Sequence, residues 1–139
     1  MGSAGYALRS PPQPVSDAAV PAATHSLHGL AVTRSSSRHV TVVQVSGDID
    51  LLTAPELASR IGQCLVEGAP SVVVVDLRQV DFFGASGLNV LLEAHWRAQA
   101  QRSTVRVVAN TPMVCRALTV TELDRTLAVY PALEPALNG

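Results

Sequence analysis

The chain contains no lysine. All ten basic residues are arginines, and apart from Arg9 they are spread from Arg34 to Arg125 without a run. With eleven acidic residues the net charge is −1, so there is no basic stripe to neutralise phosphates. Aromatics are scarce at 4%, too few to build a base-stacking platform. Both absences argue against a nucleic-acid partner. No apolar run approaches the roughly 20 residues a bilayer requires, which argues against a membrane partner. Met1 to Ala7 has no basic cluster followed by an apolar segment, so no secretory signal is visible and the expected location is cytoplasmic. Two cysteines, Cys64 and Cys115, are too few for a disulfide framework. They read as reduced thiols, with a regulatory disulfide between them as the alternative. No phosphate-binding glycine loop is present, and no His/Cys/Asp spacing fits a metal site, so no cofactor is expected.

What is present is apolar content: 47% hydrophobic against 15% charged, over 139 residues. That is a one-domain length with a real core. Residues 1–27 hold four of the nine prolines among Ser, Ala and Gly and lack strand or helix periodicity, so a disordered tail is expected there. A single domain is expected over 28–139. Leu30 and Val32, then Val40 to Val45, read as two strands separated by the Ser35-Ser36-Ser37 turn. Thr53-Ala54-Pro55-Glu56 reads as a capped helix start, with Leu57, Ile61, Cys64 and Leu65 as the buried stripe.

The run Val72-Val73-Val74-Val75 has no polar alternation, as in a strand covered on both faces. Asp76 to Phe83 leads to Gly84-Ala85-Ser86-Gly87 and a second helix, with Leu88, Leu91, Leu92, His95 and Ala98 on its stripe. Val105 to Val108 form a strand, and Thr111 and Pro112 open a third helix. Leu127 to Val129 read as a last strand, and a short helix falls within 131–137. Alternating strands and helices predict an α/β fold: a mixed, mostly parallel sheet of about five strands with about four helices.

Ser86 is the residue with the most chemical potential. Ser at a helix start is a preferred N-cap, and that structural role competes with any functional one. A helix start also offers unpaired N–H donors and a positive dipole end, so a phosphate on Ser86 would be well placed. A strand, a turn and then Ser also resembles the G-x-S-x-G nucleophile elbow, but Leu88 stands where its second Gly belongs. His95, the only His downstream, lies on the same helix. A small serine hydrolase is therefore the weaker alternative.

Three segments in order resemble the STAS family, and within it the bacterial anti-sigma factor antagonists. They are Gly47-Asp48-Ile49-Asp50, Val72 to Leu77, and Val80-Asp81-Phe82-Phe83-Gly84-Ala85-Ser86-Gly87-Leu88. The resemblance implies a non-enzymatic domain that binds an anti-sigma factor, often a serine kinase, and so releases a sigma factor, with a phosphatase resetting the cycle. It implies Ser86 as phosphoacceptor. The partner surface it implies comprises Asp48, Asp50, Thr53, Phe83, Gly84, Ala85, Ser86, Gly87 and Asn89. Gly84 and Ala85 replace the family's usual Asp and first Ser, and Asn89 replaces a second Gly. An interaction module without phosphorylation control, constitutive or redox-gated through Cys64 and Cys115, is the alternative.

Overall fold

The computed structural model describes residues 24–27 and 29–138. These form a six-stranded sheet with strand order equal to chain order. The strands are β1 (Thr24–Leu27), β2 (Leu30–Ser37), β3 (Val40–Ile49), β4 (Val72–Phe83), β5 (Thr104–Val108) and β6 (Ala128–Tyr130). The first two pairings, β1·β2 and β2·β3, are antiparallel and the remaining three are parallel. The helices are α1 (Ala54–Val66), α2 (Ala85–Ala100), α3 (Pro112–Val120) and α4 (Leu133–Asn138).

The strand beyond the expected five is β1. It occupies the last residues assigned to a tail, so the disorder expected over 1–27 does not hold for Thr24–Leu27; the rest of that tail lies outside the described residues. Ser35 to Ser37, read as a turn, continue β2, and the chain reverses at Arg38 and His39. Arg38 has φ of 55°, which lets two residues suffice.

Each parallel pair is joined through a helix, and α1, α2 and α3 all contribute to one core. Leu57, Ile61, Cys64 and Leu65 of α1 are buried there, as their spacing predicts. On α2 the buried set is Gly87, Val90, Leu91, Ala94 and Ala98. Leu88, Leu92 and His95 sit at the boundary instead, so the stripe is rotated from the expected one. Among the described residues α4 is the one helix on the opposite sheet face, and Ala136 packs with Val74 and Val108 in a smaller cluster. Val73 and Val75 face the large core and Val74 the small one, which is why the valine run has no polar alternation.

The pairing of β3 with β4 is not regular. The register shifts between Gln44 and Ser46 and again between Gly47 and Asp48. Each shift adds a residue to β4 and reverses which parity faces inward. Leu77, Val80 and Phe83, three residues apart, therefore all reach the same core.

Candidate functional site

The carboxyl ends of β3 and β4 meet the start of α2. Ile49 pairs with Phe83, and the Gly84 N–H donates to the Ile49 carbonyl at 3.0 Å. Gly84 is the N-cap of α2, in an extended conformation and without a side-chain cap. Ser86 is thus the second residue of the helix and not its cap, a correction to the structural role read from sequence. Its side chain is half-buried, with exposed Ala85 before it and exposed Asn89 one turn later on the same face.

Two glycines set this geometry by what they lack. A Cβ on Gly87 would stand 2.6 Å from the Phe83 ring and 2.9 Å from Ile49, so the first turn of α2 rests directly on the strand ends. Gly47 has φ of +99°, and a Cβ there would overlap the Gly29 carbonyl oxygen. The start of β2 therefore presses on the same end of β3.

The loop from Asp48 to Thr53 is held by its own polar groups. The Thr53 hydroxyl donates to the Asp48 carbonyl at 2.7 Å and accepts from the Asp50 N–H at 2.9 Å. One Asp50 carboxylate oxygen accepts from the N–H groups of Leu52 and Thr53 at 2.9 and 3.0 Å. Thr53 precedes α1 as expected, but its hydroxyl does not cap the helix. The side chain of Glu56, the expected capping-box partner, accepts from Arg60 at 2.9 Å. The loop thereby turns Leu51 and Leu52 outward, 81% and 68% exposed.

The residues expected on a partner surface divide accordingly. Ala85, Asn89, Ser86, Gly84, Asp48 and Asp50 are wholly or partly accessible. Thr53 is fully buried, Phe83 is 6% exposed and Gly87 is buried, so these three support the surface from beneath. Sequence reasoning missed Phe82, 47% exposed, and the Leu51-Leu52 pair. Consecutive leucines in a polar loop before a cap were the available signal. Beside Phe83, α3 borders an open groove of about 540 Å³ with Met113, Arg116 and Val120.

The STAS domain family pattern matches residues 31–136. The chain belongs to the STAS domain family. This STAS domain is 32% identical over 110 residues to the anti-sigma-F factor antagonist RsfB of Mycobacterium tuberculosis, covering 79% of this chain and 88% of that one. A crystal structure of an anti-sigma factor antagonist from Mycobacterium paratuberculosis superposes with a TM-score of 0.74 at 34% identity, covering 82% of this chain and 97% of the other. Unphosphorylated SpoIIAA, another anti-sigma factor antagonist, shares the fold at 16% identity, TM-score 0.64, over 75% of this chain and 90% of that one.

Other candidate chemistry finds less support. Both cysteines are free. Cys64 lies in the core, and burial pushes its thiol up, outweighing the nearby Arg34 and Arg60 charges. A reactive thiol needs the opposite shift, so the structure opposes Cys64 as half of a redox gate. Cys115 is half-buried, its thiol directed at the Ala109 carbonyl. His95 follows Ser86 by nine residues on one helix, about 13 Å of axial rise. Its ring instead meets Trp96 edge-on at 4.9 Å. Among the described residues no group of His, Cys, Asp and Glu could hold a metal, and no helix is long and apolar enough to cross a membrane.

Proposed function

We propose that this STAS domain is an anti-sigma factor antagonist: it binds an anti-sigma factor, displaces a sigma factor, and is switched off by phosphorylation of Ser86. The names of its relatives above 30% identity support the antagonist role. The observation that carries the switch is the position of Ser86. It is part-exposed at the second residue of α2, between the Asp48–Thr53 loop and the strand end that presents Phe82.

A partner covering this face would bury Leu51, Leu52 and Phe82, which supply the apolar area. The first N–H groups of α2 have no partners within the helix and can receive a phosphate at little backbone cost. That phosphate brings close to two negative charges, and any partner docked over it must remove their hydration. Binding is therefore lost while the fold stays. The mechanism needs no catalytic group on this chain, which acts as binding partner and phosphoacceptor and not as an enzyme. Gly84 in place of the usual Asp keeps the strand–helix junction, because its backbone N–H makes the bond to the Ile49 carbonyl.

The test mixes wild type and Ser86→Ala with candidate anti-sigma factor kinases and ATP, and follows both by intact mass. One phosphate on wild type and none on Ser86→Ala supports the switch. An unlabelled wild type that still binds the anti-sigma factor sinks the switch and keeps the antagonist. Absence of binding sinks both.

A further inference from the structure

Along α2, beyond Ser86, one face has no place in either core. Ala85, Asn89, Leu92, Trp96 and Gln99 follow one another at spacings of four, three, four and three residues. They form a single stripe on the side of the helix opposite its buried set. Ala85, Asn89, Trp96 and Gln99 are exposed among the described residues, and Leu92 is half-buried yet belongs to neither core cluster. Trp96 is 59% exposed. The half-buried His95 ring meets it edge-on at 4.9 Å and steadies an indole that remains largely in solvent.

We infer that an α-helix of the anti-sigma factor lies along this stripe, with Trp96 as its far anchor. The inference rests on the antagonist reading above and extends that interface by about 16 Å, the axial rise from Ala85 to Trp96. Three observations select this occupant. Ala85 and Asn89 begin the stripe and flank Ser86, so a body docked over Ser86 already touches it. Leu51, Leu52 and Phe82 supply only part of the roughly 800 Å² that a specific partner buries on each side, and the stripe continues the surface with an exposed Trp, a residue type that anchors interfaces. The alternation of four and three residues is that of a seam between two packed helices and does not match the two-residue period of a strand.

The stripe also accounts for how one phosphate dislodges a whole helix. Its side chains grow from Ala85 through Asn89 and Leu92 to Trp96, so the two helix axes approach most closely at the Ala85 end, beside Ser86. A phosphate on Ser86 stands at the narrowest part of the contact. Once that end is prised away, the Trp96 end is left without the rest of its seam.

Trp96 is the chain's single tryptophan, so fluorotryptophan incorporation gives one fluorine resonance that reports this position in the full chain. On titration with the candidate anti-sigma factor that binds wild type, the resonance should shift. Trp96→Ala should weaken that binding at least about tenfold with an unchanged melting temperature. Val120→Ala, at a position 74% exposed but on α3, should bind as wild type does. In Ser86→Asp the resonance should keep its free position at partner concentrations that saturate wild type. Wild-type binding with an unmoved resonance and an unweakened Trp96→Ala overturns the inference and leaves the antagonist reading standing. Weakening confined to Val120→Ala places the partner on α3 and has the same result. A wild type that binds no anti-sigma factor overturns both. A resonance that moves with the protein's own concentration before any partner is added also overturns the inference, because a second copy then occupies the stripe.

Discussion

At the scale of single residues, three positions without a side chain do different work. Gly87 and Gly47 are steric requirements, whereas Gly84 is a cap whose bond runs through the backbone. Gly87→Ala must push Phe83 and Ile49 apart in a packed core, at a cost of about 1–3 kcal/mol. Gly47→Ala adds an unfavourable φ to a collision with backbone and should cost more; urea melts of both variants check the order. Ser86→Asp, charged but smaller than phosphate, should weaken anti-sigma factor binding at least about tenfold with the circular dichroism unchanged. The candidate phosphoacceptor was legible because Ser86 lies between Gly84 and Gly87 after a strand. Its place within the helix was not, since a cap and the second residue of the first turn differ by only two positions and helix ends are poorly marked in sequence. Phe82 and Phe83 could not be told apart either, because strand parity is lost where the register shifts.

At the scale of elements, the doubly shifted β3·β4 pairing decides what the site displays. The first shift is pinned by Asp76, 1% exposed, whose carboxylate accepts the Arg78 N–H at 3.1 Å and its guanidinium at 2.9 and 2.7 Å. Burial alone would raise the Asp76 pKa. Hydrogen bonds from the Arg78 side chain and N–H, the Arg78 charge and the Gln44 amide hold it below the usual carboxylate range. A lowered folded pKa means this stabilisation is complete above the unfolded value, about pH 4, and fades as pH falls through the folded one. Asp76→Asn should cost about 1–3 kcal/mol at pH 7 and flatten the acid limb of the stability profile below about pH 5. It should also weaken partner binding, since Phe82 and Gly84 lie downstream of the shift.

The Asp48–Thr53 loop makes a complementary prediction. Leu51→Ala and Leu52→Ala should leave the melting temperature within about 2 °C, both side chains being exposed, and reduce anti-sigma factor affinity by about 1 kcal/mol or more each. Titration calorimetry with thermal melts separates the two effects. In α1 the thiol of Cys64 should resist alkylation in the native protein and react only on unfolding, which mass spectrometry after a pulse of iodoacetamide reads directly.

At the scale of the whole molecule, the alternation of valine-rich strands with capped, striped helices made the layered α/β architecture readable from Val40 onward. The sixth strand was not readable, because the short Thr-His-Ser-Leu segment of β1 has little apolar pattern and gains its place by pairing with β2. The two cores are unequal, three helices against one, and the larger core ties the site directly to global stability. Substitutions beneath the site, at Phe83 or Thr53, should therefore lower stability and binding together, while those on its rim should affect binding alone.

The sheet's sequential order has a consequence for how the protein is made. Every strand after the first lies beside the one synthesised immediately before it. A growing chain can thus lay each strand, as it leaves the ribosome, against an edge already in place, without waiting for a distant segment to arrive. Emerging after both strands, α4 closes over the valines of β4 and β5 once they are seated.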